Sequence, residues 1–395
     1  MMESVLITAV ETACAIGLTT ADCLMALRGR RGGLAPLQGR VPGLEEFAML
    51  PAGLIPSSRD LPRGRRYGAA SNAAVHVARS AVGRAGWTQE ETTTAWLYAA
   101  SSRGNVGETT GSNAWRRPIR RFSASNSMHS EIAAAVSIEL GIRGPWQMVS
   151  NGCSSGLDAL GLAWMAVGSG LAPRAVVVAV DLPLVPQLLR DFRDTGLLST
   201  NGLIDPFALG GKTACEPATS GFFPAEAAVA VTLERDVAGR PRLCRIERYN
   251  ANSDAYDALM IPEDGGGIED CVRGALNAGD LSKVIALCPH ATGTLNHARV
   301  EPPALLRALG GKMVPLLPLK PQTGHALGAS GLLDVALLAA CMAEGWLPAV
   351  LPCLTPSECG LSLNEAPLKV ASGDRVIKLA SGMGGHNAAV SLAAV

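Results

Sequence analysis

The stretch Val149-Ser150-Asn151-Gly152-Cys153-Ser154-Ser155-Gly156 sets one cysteine among small residues immediately ahead of an apolar repeat, Leu157, Leu160, Trp164 and Val167, at helical spacing. Gly168 and Gly170 close that repeat, with Pro173 beyond, which is a helix stop. Cys153 is therefore expected at the entrance of a helix, where unpaired N–H groups and the positive end of the dipole favour an anion. A thiol of ordinary pKa, about 8.5, is drawn toward thiolate in such a place and becomes able to attack acyl groups. Nine further cysteines, at 14, 23, 215, 244, 271, 288, 341, 353 and 359, are scattered without a regular interval. Taken alone, Cys153 is as well read as a small buried hydrophobe.

Two histidines change its company. Val284-Ile285-Ala286-Leu287-Cys288 reads as a buried strand, and His290 follows it in the turn Pro289-His290-Ala291-Thr292-Gly293-Thr294, where side chains at a strand end project into clefts. His325 lies in Lys320-Pro321-Gln322-Thr323-Gly324-His325, ahead of the small residues 326–331 and an apolar helix through Leu332, Val335 and Leu338. One cysteine and two histidines in Gly-flanked turns point to nucleophilic chemistry with imidazole support. With six histidines and no Cys-x-x-Cys pair, a metal site has no motif behind it.

These residues resemble the β-ketoacyl-acyl-carrier-protein synthases, the elongating Cys-His-His condensing enzymes of the thiolase superfamily. The resemblance runs over nearly the whole chain: the opening strand Val5-Leu6-Ile7-Thr8-Ala9, then Gly141-Ile142-Arg143-Gly144-Pro145, the Cys153 loop, Gly221-Phe222-Phe223-Pro224-Ala225-Glu226-Ala227, and Ser381-Gly382-Met383-Gly384-Gly385-His386-Asn387-Ala388. Glu301 and Lys320 follow His290 at the family's spacing. The resemblance implies that Cys153 carries the acyl chain as a thioester, that its N–H and that of Met383 form an oxyanion hole, and that His290 and His325 stabilise the enolate left when a malonyl thioester loses carbon dioxide. Lys320 is expected as electrostatic support hydrogen-bonded near Glu301, or as half of a buried structural ion pair with it.

It also implies an α/β thiolase-like fold of two similar halves in five αβαβα layers. Residues 1–240 would form the N-terminal half, with the nucleophile and the dimer interface, and 241–395 the C-terminal half with both histidines. No sequence repeat marks the duplication, so this placement rests on analogy. The implied activity is decarboxylative Claisen condensation with malonyl-acyl carrier protein, in fatty-acid or specialised polyketide or polyene biosynthesis. The competing reading is a non-catalytic chain-length partner of a heterodimeric ketosynthase. Such partners usually lack the nucleophile, which this chain keeps. A thiolase would need a second cysteine in the terminal Gly-rich loop, and an initiating synthase an asparagine in place of His325; neither is present.

Departures from the family pattern concern the surroundings of the site. Ala291 stands where a glycine is usual, Ala298 where an acidic residue is usual, Met383 for the gating phenylalanine, Ser381 for an aromatic, and Gly152 for an alanine. Methionine is flexible and polarizable, so a differently shaped acyl chain and a specialised pathway are expected.

The 34 basic and 34 acidic residues balance, which gives no general pull toward nucleic acid. No apolar run reaches the ~18 residues of a membrane span. Cysteine usage and the lack of a charged-then-apolar leader read as cytoplasmic. No cofactor is expected beyond the phosphopantetheine that carries substrates. The partners expected are an acidic acyl carrier protein and a second subunit, identical or paralogous. Arg63, Arg65 and Arg66, and Arg116, Arg117, Arg120 and Arg121, form two basic clusters that would dock the carrier, or are simply solvated surface. Pro206–Thr219 reads as a surface loop: its Gly210-Gly211-Lys212-Thr213 lacks the earlier glycine of a phosphate loop.

Overall fold

The computed structural model describes residues 3–56, 66–110, 123–210, 217–276, 281–354 and 360–395. The first half of the chain contributes β1 (Val5–Cys14), α1 (Ala69–Ala85), β2 (Trp96–Ala100), α2 (Glu131–Leu140), β3 (Trp146–Val149), α3 (Ser155–Gly168), β4 (Arg174–Asp181), α4 (Pro186–Asp194) and β5 (Ala227–Arg235). The second contributes β6 (Cys244–Ser253), α5 (Gly266–Leu276), β7 (Val284–Cys288), α6 (Leu295–Ala308), α7 (Ser330–Ala343), β8 (Arg375–Gly382) and β9 (His386–Ala393).

The two halves use one pairing scheme. In the first, β1 pairs antiparallel with β5, β5 antiparallel with β4, β4 parallel with β2, and β2 parallel with β3. In the second, β6 pairs antiparallel with β9, β9 antiparallel with β8, and β8 parallel with β7, and Leu287 of β7 makes a parallel bridge to Leu316. A short antiparallel contact of Val5, Leu6 and Ile7 with Ile246, Arg245 and Cys244 joins β1 to β6, so the strand order is continuous over nine strands. Helix α1 covers β1, β4 and β5; α5 covers the equivalent β6, β8 and β9. Helices α3 and α7 touch strands of both halves and form the layer between them. This is the thiolase-like arrangement of five layers.

Local chemistry accounts for these elements. β4, Arg-Ala-Val-Val-Val-Ala-Val-Asp, is a β-branched run buried along seven of its eight residues, as a strand covered on both faces must be. α1 buries Ala70, Ala74, Val77, Ala81 and Ala85 at three- and four-residue intervals and ends at Gly86 in the left-handed region, φ 69°. Three strands of the nine-stranded sheet lack an apolar run like that of β4. β3 is short and half exposed, β6 is polar over most of its length, and β9, although buried along seven of its eight residues, has its apolar residues interrupted by Asn387 and Ser391.

The central layer contains the repeat that the sequence hides. Ser155-Gly156-Leu157 opens α3 and Ser330-Gly331-Leu332 opens α7. The N–H of Asn151 donates to Ser155 Oγ and that of Ala326 to Ser330 Oγ, both at 2.8 Å. Gly152 and Leu327 take the same left-handed backbone, φ 61° and 45°. A Cβ on Gly156 would lie 2.8 Å from the Gly328 carbonyl oxygen and 3.0 Å from Leu332 Cβ; one on Gly331 would lie 3.1 Å from Leu157 Cβ. The two helix entrances thus pack against each other about a local two-fold relation, and small residues permit the approach. Gly156→Ala is expected to lower stability by about 1–3 kcal/mol, more than Gly331→Ala does. Urea midpoints of the two variants that match the parent would show the crossing to be loose.

Candidate active site

Residues 152–154 form a short 3₁₀ turn that runs into α3, and Cys153 sits in it, buried. The site around it is assembled from both halves. His325 Nε2 lies 3.2 Å from Cys153 Sγ. The backbone of His325 is clamped to the Gly221–Ala227 segment: its N–H donates to the Phe223 carbonyl at 2.7 Å, and its carbonyl accepts the N–H of Ala225 at 3.0 Å. The His290 ring stands 5.4 Å from that of His325, nearly perpendicular at 88°. The N–H of Met383 points at the Cys153 sulfur, and the half-buried Met383 side chain packs on the apolar cluster that contains Cys153.

Glu301, on α6, holds the first histidine's turn. One carboxylate oxygen accepts the N–H of His290 at 2.5 Å and the other that of Ala291 at 2.9 Å. Ala291 has φ 47°, the left-handed region, which explains why glycine is usual there; an alanine costs about 1 kcal/mol in that conformation.

The lysine expectation is corrected. Lys320 Nζ does not reach Glu301: its ion-pair contact is Asp334, at 3.6 Å, and it has no hydrogen-bond acceptor. Asp334 is held more closely by a second buried lysine, Lys378, at 2.6 Å. Lys378 also donates to the carbonyl of Pro289, the residue before His290, at 2.9 Å. Neither Asp334 nor Lys378 figures in the sequence reading, although Asp334 is the one charge in the apolar helix α7 and Lys378 is flanked by Ile377 and Leu379 in β8, and a charge buried in such a run needs a partner.

Electrostatics correct a second expectation. Burial pushes the Cys153 thiol up to about 11, opposed by Lys320, Arg103 and the Met383 N–H and reinforced by Asp181. Desolvation outweighs the helix entrance, and the resting group is a thiol. Burial, and then the field of Lys320, hold His290 and His325 well below the ordinary imidazole range, so both are neutral. Burial and Lys378 lower Lys320, whereas for Lys378 burial, which lowers it, is outweighed by Asp334, Cys288 and Glu301 together, and it is raised. Glu301 is raised by burial against its two N–H donors.

Ser330 leaves both neutral tautomers open to His325. Ser330 Oγ, which already accepts the Ala326 N–H, lies 3.0 Å from His325 Nδ1. A hydroxyl can donate to Nδ1, leaving the proton on Nε2, or accept from it, leaving Nε2 free to take the thiol proton. A third imidazole, His297, lies 5.1 Å from His290 between ring centres, with Nδ1 against Thr294 Oγ1 at 3.0 Å. His290 Nδ1 and His297 Nε2 are both buried without a hydrogen-bond partner.

A cavity lined by Ile204, Phe223, Thr292, Lys320 and His325 leads to this cluster. Thr219, at the end of the expected surface loop, donates to the Gly293 carbonyl and so ties that loop to the histidine turn; residues 211–216 lie outside the described residues. Of the basic clusters, only Arg66 is described: it is exposed, 3.9 Å from Glu139, with its guanidinium over Tyr67. Arg63, Arg65, Arg116, Arg117, Arg120 and Arg121 lie outside the described residues. Among the described residues there is no His, Cys, Asp and Glu group able to hold a metal ion, and no helix long and apolar enough to cross a membrane.

The profile of the β-ketoacyl synthase N-terminal domain matches residues 62–238, and that of the β-ketoacyl synthase C-terminal domain residues 243–353. The chain belongs to the β-ketoacyl synthase family. It is 30% identical over 274 residues to the protein assigned as β-ketoacyl synthase 1 of the granaticin polyketide in Streptomyces violaceoruber, covering 67% of this chain and 63% of that protein's length. It is 28% identical over 388 residues to the ketoacyl synthase alpha subunit of the tetracenomycin polyketide synthase of Streptomyces glaucescens, covering 91% and 88%. Among solved structures, the ishigamide ketosynthase/chain length factor superposes with a TM-score of 0.86 at 19% identity over the full length of both chains. A type II polyketide ketosynthase in complex with its acyl carrier protein gives 0.85 at 20%, again over both full lengths.

The buried neutral imidazoles make the fold acid-sensitive. Each is depressed below its unfolded value, so the unfolded chain binds more protons below pH 6.5 and stability falls as pH drops. His297, lowered to about 4 by burial and then Lys320, should account for on the order of 3 kcal/mol of that loss between pH 6.5 and 4. Urea unfolding at pH 7.5 and pH 5 should therefore show a smaller acid loss for His297→Asn than for the parent. An equal loss would mean that His297 is protonated or solvated in the folded chain.

Proposed function

We propose that this protein is a polyketide-type β-ketoacyl synthase in which Cys153 accepts an acyl chain and His290 and His325 direct its condensation with a malonyl thioester. The observation that carries the reading is the 3.2 Å contact between Cys153 Sγ and His325 Nε2, with the His290 ring beside it. In the first half-reaction Sγ attacks the donor thioester carbonyl while His325 Nε2 takes the thiol proton. The N–H groups of Cys153 and Met383 receive the oxyanion, and the proton leaves on the departing carrier thiol. His325 is then neutral again with Nε2 bare and its proton on Nδ1; exchange of that proton through solvent, with the Ser330 hydroxyl turned to donate to Nδ1, places the N–H on Nε2 for the second step.

In the second half-reaction the malonyl carbon–carboxylate bond breaks, carbon dioxide leaves, and its electron pair becomes an enolate. Neutral His290 and His325 each offer one N–H to the enolate oxygen, and Lys320 adds positive potential. The enolate carbon bonds to the Cys153-bound carbonyl carbon, and the sulfur leaves as thiolate and takes a proton from solvent. The β-keto product remains on the carrier. The nucleophile belongs to the half taken as residues 1–240 and the histidines to that taken as 241–395. An acyl carrier protein with its phosphopantetheine arm, and a second ketosynthase-like subunit, identical or paralogous, are the partners this reading requires. The arginine clusters are its proposed docking residues.

Intact-protein mass spectrometry with a panel of acyl carrier protein thioesters should show one acyl adduct on the parent and none on Cys153→Ala. Absence of an adduct from every donor would favour the chain-length-partner role. His290→Ala should still be acylated while malonyl decarboxylation falls by about 10²-fold or more, whereas His325→Ala should slow both steps. Because both imidazoles are neutral well below pH 6.5, decarboxylation should hold constant from pH 8 to 6.5. A decline centred near pH 7 would show that one of them is protonated at rest.

A further inference from the structure

Near the nucleophile, Arg103 is a cation without a carboxylate partner among the described residues. The turn that carries it is fixed by the buried carboxylate of Asp181. Ser101 Oγ donates to Asp181 Oδ1 at 2.7 Å, the Ser102 N–H to Oδ2 at 2.9 Å and the Arg103 N–H to Oδ1 at 3.0 Å, while the Gly104 N–H donates to Ser101 Oγ at 2.7 Å. The Arg103 backbone is thereby locked, and its half-buried side chain extends over Phe192, with the ζ carbon 5.6 Å from the ring centre. Its Nε is buried without a hydrogen-bond partner, and its guanidinium makes no ion pair with a carboxylate of the described residues. Its field nevertheless reaches Cys153.

What surrounds this cation is apolar. Phe192 meets Phe222 edge-on at 5.2 Å, and Phe222 meets His325 at 5.1 Å, so a line of rings runs from Arg103 to the imidazole on the nucleophile. Leu184, Leu188 and Leu198 complete the buried cluster with Cys153. An acyl group on Sγ that enters this cluster covers the guanidinium and displaces its water. A plain hydrocarbon offers no acceptor in return, which penalises the complex. A carbonyl or carboxylate oxygen on the chain offers a charge-assisted acceptor, and the stack on Phe192 orients the planar fork toward it.

We propose that Arg103 makes the Cys153 pocket selective for acyl groups that carry a carbonyl or carboxylate oxygen beyond the thioester, and against hydrocarbon chains of the same length. This selectivity rests on Cys153 being the acylated residue. Arg103 is a specificity determinant and takes no part in bond making.

Acylation rates with pantetheine thioesters of matched length test it: hexanoyl, 3-oxohexanoyl and adipoyl, on the parent and on Arg103→Met and Arg103→Lys. The parent should favour at least one oxygenated donor by about ten- to a hundredfold, and the favoured donor identifies the oxygen. Arg103→Met should reverse the order and Arg103→Lys should retain part of it. Hexanoyl transfer as fast as both oxygenated donors, or a ratio unchanged in Arg103→Met, overturns the proposal. The same thioesters binding to Cys153→Ala, followed calorimetrically with and without Arg103→Met, decide the matter separately. If no donor acylates the parent, the nucleophile reading fails, while tighter oxygenated-ligand binding that disappears with Arg103 still upholds the selectivity, and equal binding of all three overturns it.

Discussion

The contact on which this molecule turns is the crossing of α3 and α7 at Gly156 and Gly331. Each half brings a helix entrance to the centre, and absence of a Cβ at Gly156 lets the backbone of one entrance approach the other to within van der Waals contact. Cys153 opens one helix; His325 lies just ahead of the other. Their 3.2 Å separation therefore depends on glycines that do no chemistry. The duplicated sheets set the orientation of that crossing, and the Phe223–Ala225 segment clamps the His325 backbone against it.

Beneath the crossing lies a buried charge cluster of Lys320, Lys378, Asp334 and Glu301. Its two carboxylates have different tasks. Glu301 binds the backbone of the His290 turn, and Asp334 anchors Lys378, which grips the same turn from the other side through Pro289. Because Lys378 takes the closer place on Asp334, Lys320 is left facing the cavity without an acceptor. Its field and the desolvated surroundings keep the imidazoles neutral, as donation to an enolate requires. Burial also holds the thiol protonated, so the proposed chemistry begins with a proton transfer to His325 and not with a preformed thiolate.

The departures from the family pattern acquire physical meaning in this setting. Ala291 adopts a backbone suited to glycine and is held there by Glu301. Met383 keeps its backbone N–H on the sulfur while changing what packs against the acyl cluster. His297, one residue before the departure at Ala298, adds a third uncharged imidazole beside His290. All three leave the reacting atoms in place and alter their surroundings.

Much of this was legible in the chain itself. The cysteine turn and both histidine turns stand out because each breaks an apolar run with small or polar residues, Glu301 and Lys320 were reached only through the family's spacing, and strands such as β4 and β7 announce themselves as unbroken apolar segments. β3 and β6 do not, since their faces are half solvated or their residues polar, and β9 does not because Asn387 and Ser391 interrupt its apolar residues. The duplication was hidden because only Ser-Gly-Leu is common to the two entrances, too short to count until the backbone shows both in one conformation. The sequence by itself determined the alternation of elements, the family resemblance and the choice of candidate reacting groups. Tertiary structure alone decided their protonation, the pairing of Lys320 with Asp334, and the place of Lys378, His297 and Arg103 around the nucleophile. These depend on burial and on distances between residues far apart in the chain, and neither quantity is written in local pattern.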